Sequence, residues 1–356
     1  MSWHTGTSTD IHDLLVDLRT HINAHADWTQ DYSALAVVDA QNDDYIAHST
    51  GVTGNDAPYI GIRTYQDSTT TNYGLEISGG TGYDSGGASF GLKLTGISPG
   101  RWDESTDALR AGSYVPIYNS SMPYWLSVDT RRVCGVIKVD TTYHCFYIGL
   151  LDTFADANAY PFPMYVAGSS PRFDVAYNGT DPDTGCTLAD PIGWHDGSTV
   201  LGGPASLRFT DGAWYAVKNS AERTAGRIPQ NEIVVFPCGI NLMNATGIPD
   251  PADRWFLNSS STQFWTETIP TTGDPGSPDH ELRKTTGTVD NVPIFPATVL
   301  MQTPSGQFIG ELQGVYWCSG AEGVGSEDVL GTGTTYRVFQ GGGHSDTWRR
   351  QAILEA

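Results

Sequence analysis

Basic residues are what this 356-residue chain lacks most: 19 Lys and Arg stand against 40 Asp and Glu, a formal charge of −21. The first sixty residues alone hold nine Asp and a single Arg. A surface of that sign repels phosphate backbones, so nucleic acid is not an expected partner and the charge reads as a means of solubility in salt. Long apolar runs are also missing. None approaches the roughly 18–20 residues needed to cross a bilayer, so no membrane partner is expected. The opening MSWHTGTSTD lacks the basic stretch and apolar core of a secretion signal, and folding in a cytoplasm is the expectation. Cysteine is sparse and scattered: five residues, at 134, 145, 186, 238 and 318, without a C-x-x-C pair, which argues against a zinc knuckle.

What is abundant points one way. The chain carries 41 Gly, 20 Pro, 17 Tyr and 10 Trp with only 17% charged residues, a mix suited to short strands joined by turns. Its length allows one to three domains. Arg131–Ser170 spells out a β-hairpin. Val133, Val136, Ile137 and Val139 run into Asp140-Thr141-Thr142, and Tyr143, Phe146, Tyr147 and Ile148 return. Tyr160-Pro161-Phe162-Pro163 follows, which two prolines bar from helix or central strand. If Asp140 pairs with Tyr143, Cys134 faces Gly149 and lies on the order of 13 Å from Cys145, beyond disulfide reach. Reduced, buried thiols are expected.

The clearest helix is at the start. Thr9 or Ser8 can cap it, Asp10 and Asp13 suit its positive end, and Ile11, Leu14, Leu15, Leu18 and Ile22 share one face. That stripe packs either on its own sheet or against a neighbouring subunit, which makes Leu14, Leu15, Leu18 and Ile22 the assembly-interface candidates. Strands are expected near 34–39, 58–65, 73–79, 88–94, 113–117 and 124–129, then near 206–217, 232–237, 297–303, 307–318, 334–340 and 347–354. The expected architecture is mainly β, an antiparallel sandwich or jelly-roll-like fold with an N-terminal amphipathic helix and long surface loops. Residues 1–30 form the helical segment, 31–222 a β-sandwich domain, and 223–356 a second β region, which is possible as part of the same sandwich. An insertion is expected at about 240–290.

No catalytic, cofactor or metal site is expected. His344-Ser345-Asp346 has the residue types of a hydrolase triad, but neighbours on an extended loop point apart. There is no G-x-S-x-G elbow. His195-Asp196, His144 and the helical pair His21 and His25 lack a metal-binding pattern. Asp181, Asp183 and Gly185, like the acidic run Asp39–Asp44, lack the remaining ligands of a calcium loop. Gly79-Gly80-Thr81-Gly82 has no G-K-[ST] after it, so it reads as turn chemistry rather than a phosphate loop. Paired carboxylates for glycoside hydrolysis stay open, because their spacing is spatial. Trp194, Trp214, Trp255 and Trp265 can stack on sugars or fill cores.

Several blocks resemble the virion structural proteins encoded in the tail modules of tailed bacteriophages. Trp3-His4-Thr5-Gly6-Thr7 with Asp10, Leu14-Leu15 and Leu18 is similar to their W-x-T-G-T-A-T-D…L-L…L opening. Tyr59-Ile60-Gly61-Ile62-Arg63-Thr64-Tyr65, with Glu76-Ile77 and Gly82-Tyr83, resembles VGIRTY…WEL…GY. The central hairpin with Tyr160-Pro161-Phe162-Pro163 and Gly168-Ser169-Ser170 resembles their Y-P-Y-P…G-G-S stretch. Gly310-Glu311-Leu312-Gln313-Gly314-Val315-Tyr316-Trp317 and Tyr336-Arg337-Val338-Phe339-Gln340 resemble GELDGV-F/Y-W…YLVFQ. The departures are Gln313 for Asp, Asp152–Asn158 without a proline, and a longer 240–290 region. The resemblance implies a tail-associated virion part of the baseplate, tail tip or fibre-attachment region. Its partners would be other virion proteins and copies of itself in a ring or trimer, and it brings no catalytic residues. Two alternatives stay open. One is a fibre or spike component that binds a host-surface glycan, with or without polysaccharide hydrolysis; the other is a neck, collar or capsid-decoration protein.

Overall fold

The computed structural model describes residues 1–35, 43–51, 56–66, 73–98, 102–103, 108–109, 113–153, 163–168, 205–209, 212–216, 233–237, 288–289, 292–301, 307–319, 325–340 and 349–355. In chain order the elements begin with β1 (Ser2–Ser8), α1 (Ile11–Ala24), β2 (Trp28–Ala34), β3 (Asp44–Ser49), β4 (Tyr59–Gln66) and β5 (Tyr73–Gly80). Next come β6 (Gly82–Tyr83), α2 (Phe90–Lys93), β7 (Leu94–Thr95), β8 (Trp102–Asp103), β9 (Ala108–Leu109) and β10 (Ser113–Ile117). The centre holds β11 (Met122–Val128), β12 (Arg132–Val139), β13 (Thr142–Leu150), β14 (Asp152–Thr153), β15 (Met164–Gly168), β16 (Ala205–Arg208) and β17 (Trp214–Ala216). The remainder is β18 (Ile233–Pro237), β19 (Thr288–Val289), β20 (Val292–Met301), β21 (Gln307–Ser319), β22 (Val329–Leu330), β23 (Tyr336–Gln340) and β24 (Arg349–Leu354).

The chain is mainly β, and among the described residues every strand pair is antiparallel. A seven-stranded sheet runs β1-β11-β12-β13-β15-β16-β17, a five-stranded sheet β10-β5-β4-β3-β2, and a third sheet has the path β18-β20-β21-β24-β23-β22. In the first two, most strands pair with their neighbour in sequence, so the order is that of meanders. The strand-by-strand alternation between sheets that defines a jelly roll is absent among the described strands. Two strands depart from the meander: β10 returns to pair with β5, and β1 crosses from the chain's start to pair with β11, Ser2 opposite Val128 through Ser8 opposite Met122.

The seven-stranded sheet is covered on both faces. Successive strand residues point to opposite sides. Val133, Ile137, Val139, Phe146 and Ile148 therefore join one core with α1 and the five-stranded sheet. Cys134, Val136, Tyr143, Cys145 and Tyr147 join a second core with Ala297, Leu312, Val315, Phe339 and Ile353 of the third sheet. Burial on both faces explains why β12 reads as a nearly continuous apolar run instead of an alternating one. It also means that the 31–222 and 223–356 regions share a core, while any break near 222–230 lies outside the described residues.

Several expectations are corrected. Residues 1–30 are not helical alone: a strand precedes α1, and its polar S-W-H-T-G-T-S pattern gave no apolar alternation to find. Asp10, not Thr9 or Ser8, caps α1. Its side chain accepts from the Asp13 N–H at 2.8 Å, while the Asp13 side chain reaches back to accept from the Thr9 N–H, one residue before the cap, at 2.9 Å. Residues 88–94 form α2 and the start of β7 rather than a strand. β2 ends at Ala34, where the strand expected at 34–39 begins, and residues 36–42 of that expectation lie outside the described residues. In the central hairpin the turn is the two-residue Asp140-Thr141, with Asp140 left-handed at φ 53°. The register is shifted by two, so Cys134 faces Tyr147 and Val136 faces Cys145. The two thiols become diagonal neighbours, about 7–8 Å apart in an ideal ladder, and both are buried and free. Tyr160–Phe162 and nearly all of 240–290 lie outside the described residues.

Candidate functional site

Leu14, Leu15, Leu18 and Ile22 are at most 1% exposed and sit in the chain's own core. They pack with Ile60, Ile62, Leu75 and Leu126, so the stripe offers no surface to a second subunit without unpacking the domain. Of the two roles open to them, domain core is the one this geometry carries.

Beside that core, the polar flank of α1 meets β1 and β11. Gly6 leaves the space across which the Tyr124 ring lies, and any Cβ there would collide with it. The Tyr124 hydroxyl reaches α1, hydrogen-bonding Asp17 and lying 3.0 Å from Nε2 of His21. If the phenol donates to the carboxylate, its oxygen accepts from Nε2–H of His21. His21 in turn stacks on His4, ring centroids 4.2 Å apart and 19° from parallel. Burial, and then His21 and His25, hold the His4 imidazole below its usual range. Burial raises the Tyr124 phenol, with Asp17 adding to the effect, so it stays protonated. The cluster links helix to sheet by hydrogen bonds and stacking. It contains no nucleophile with a base, and His25 turns away to Asp27 at 3.8 Å.

The second interlayer is also polar in places. Lys138 and Tyr143 both hydrogen-bond the Glu327 carboxylate at 2.6 Å. Arg337 donates to the Glu327 carbonyl at 3.1 Å and pairs with Glu355 at 2.7 Å. Burial alone would raise the Glu327 carboxyl, but hydrogen bonds from Lys138 and Tyr143 outweigh it and hold it below the usual range. Trp125, Tyr143 and Phe339 pack around the same seam. Arg132 is fully buried; it donates to the Ser127 carbonyl at 3.0 Å and touches the Met1 sulfur. Gly314, at φ 72°, leaves room for that guanidinium, and a Cβ would press on it. These contacts bind strands to one another.

The remaining candidates separate in the same way. His144 is fully buried, its imidazole held down to about 3 by desolvation, so it is neutral and enclosed. Asp44 pairs with Arg63 at 2.6 Å, and Asp43 lies 2.5 Å from His12. Gly79 and Gly80 belong to β5, where Gly79 admits Met164 and Val166 of the facing sheet. Trp214 donates from its indole to the Gly96 carbonyl at 3.0 Å. Burial and the facing Asp152 raise the Glu311 carboxyl, two like charges opposed across β14 and β21. Among the described residues, no group of three or more His, Cys, Asp or Glu is placed to hold a metal ion. Nor does any helix among them have the length and apolarity to cross a membrane. His344-Ser345-Asp346, Trp194, His195, Asp196, Asp181, Asp183, Trp255 and Trp265 lie outside the described residues.

Sequence reasoning missed the His4–His21–Tyr124 contact, the Glu327 bridge and the burial of Arg132. The His21–Tyr124, Arg132–Met1 and Lys138–Glu327 contacts join residues from about 100 to 190 positions apart, where local pattern carries no signal. No known protein-family model matches the chain, and no curated protein matches it in sequence.

Proposed function

We propose that this chain is a structural component of a tailed-phage virion, tail-associated in the baseplate, tail tip or fibre-attachment region, and that it acts by multivalent protein–protein assembly. The reading rests on the sequence resemblance. One observation carries it: the resembling blocks lie on framework strands throughout the chain. Trp3–Thr7 is on β1, Tyr59–Tyr65 on β4, the hairpin on β12 and β13, Gly310–Trp317 on β21, and Tyr336–Gln340 is β23. Several of their residues have architectural duties. Gly6 admits Tyr124, Gly61 lies under Phe90 and Leu94, and Gly314 admits Arg132. A resemblance concentrated on such positions fits a shared scaffold rather than a shared reaction. In this reading the two facing sheets form an antiparallel sandwich, the acidic exterior keeps free subunits soluble, and the protein resides in the virion after folding in the host cytoplasm.

The test is the position and copy number of the chain in intact particles, by quantitative mass spectrometry and by labelling in electron micrographs. Label at the tail end in a symmetric copy number supports the proposal. Label at the neck or on the capsid would move it to the collar or decoration alternative. Absence from purified particles overturns it.

A further inference from the structure

The edges of the three main sheets differ in one respect. An edge strand exposes unpaired backbone N–H and C=O groups, and proteins blunt such edges with short strands, prolines, bulges or charges. Among the described residues, five of the six edges carry such a device. In β2 the register shifts between Gln30 and Tyr32, and Asp31 sits at the break. In β10 there is Pro116, and β18 ends on Pro237. At the other two edges β17 has three residues and β22 has two.

The sixth edge is β1, and it has none. It is seven residues long, its register with β11 is unbroken, and it contains no proline, Asp, Glu, Lys or Arg. Among the described residues no strand pairs with its outer side. In a chain of net charge −21, the strand itself carries no carboxylate.

We propose that the outer edge of β1 is a strand-addition site, and that its occupant is β1 of a second copy, antiparallel about a two-fold axis through Thr5. The strand is complementary to itself in that register. Thr5 faces Thr5 of the partner subunit, a favourable cross-strand pair. Trp3 meets the partner's Thr7, an aromatic against a β-branched side chain, and His4 meets the partner's Gly6, over which the Tyr124 ring lies. Ser2 meets the partner's Ser8. Thr5 and Thr7 are exposed in the single chain and so are free to make these contacts. The contact is isologous, and it extends the seven-stranded sheet into the neighbouring copy. This inference needs nothing from the virion reading and can fail or hold separately from it.

Cross-linking of the full chain tests it. In this register Thr5→Cys places two thiols opposite each other across the axis, whereas Thr7→Cys faces a tryptophan. Mild oxidation is expected to convert Thr5→Cys to a disulfide dimer at least tenfold faster than Thr7→Cys. Equal rates, or no dimer from either, would overturn the proposal. Sedimentation supplies the second arm. The native chain is expected to move toward dimer mass with concentration up to about 100 µM, and more readily at about 0.5 M salt, where repulsion is screened. Thr5→Asp should remain monomeric with an unchanged melting profile, and Thr5→Val should dimerise like the native chain. A native chain that stays monomeric throughout, or a dimer indifferent to Thr5→Asp, would refute it. Protection of β1 amides only in a complex with a different protein would give the edge to that protein and equally overturn self-pairing.

Discussion

His144 shows how one enclosed group imposes a pH dependence on the whole fold. Its imidazole is fully buried on β13, and desolvation holds it down to about 3, against 6.5 for an unperturbed histidine. The unfolded chain therefore takes up a proton near pH 6.5 that the native chain refuses until far lower pH. The stability this confers is complete above pH 6.5 and is lost as pH falls toward 3, by at most about 1.4 kcal/mol per pH unit. His4, also lowered, acts with the same sign. Urea unfolding at about pH 7, 6 and 5 should give a shallower decline for His144→Gln than for the native protein; parallel declines would show that His144 does not carry the effect. Leu18 poses a different question, because the same side chain was a candidate for core or for seam. It is 1% exposed within its own chain. Leu18→Ala should cost about 2–5 kcal/mol, as expected for an enclosed cavity, and leave the oligomeric mass unchanged. A normal stability with altered mass would return the residue to an interface.

At the level of elements, α1 owes its start to Asp10, which accepts the Asp13 N–H, and to Asp13, which accepts the N–H and hydroxyl of Thr9. Asp10→Ala should lower stability by about 1 kcal/mol, the usual worth of such a cap, whereas Ser8→Ala should act only through its bond to the Met122 carbonyl. Equal stability of Asp10→Ala and the native chain, by chemical unfolding, would show that the helix begins elsewhere. The helix stripe was legible because five apolar residues repeat at helical spacing. The cap was not, since three adjacent residues could each serve and only the backbone angles at Asp10 select one. The central hairpin was legible from its apolar runs, but its register was not. Two-residue turns at Asp140-Thr141 and at Thr141-Thr142 fit D-T-T equally well, and the choice rests on Asp140 adopting a left-handed conformation. Strand β1 was hidden for another reason. Its burial depends on β11, more than a hundred residues away, so its own sequence carries no apolar alternation. The same polar character leaves its outer edge without protection.

For the whole molecule the largest single electrostatic fact is the imbalance of charge. Ion pairs such as Arg63–Asp44, Lys138–Glu327, Arg131–Asp152 and Arg337–Glu355 tie neighbouring strands. Pairs at the surface, such as Arg131–Asp152, contribute about 0–1 kcal/mol each, and salt weakens them. Against them stands repulsion among acids that no base can match. With 40 Asp and Glu and 19 Lys and Arg, 40 − 19 leaves 21 carboxylates unbalanced even if every base is paired. Salt shortens the screening length from about 30 Å at 0.01 M to about 3 Å at 1 M, so it relieves this long-range repulsion while costing little in close pairs. The net effect should be stabilising: the melting temperature should rise by several degrees between about 0.01 M and 0.5 M sodium chloride and then level off. A falling melting temperature would mean that the ion pairs outweigh the repulsion. Screening depends on ionic strength and not on which monovalent cation supplies it, so sodium and potassium should give superimposable curves. A large rise from millimolar calcium at constant ionic strength would instead reveal carboxylates converging on a bound ion, and it would locate the stabilisation in a site rather than in the field of the whole protein.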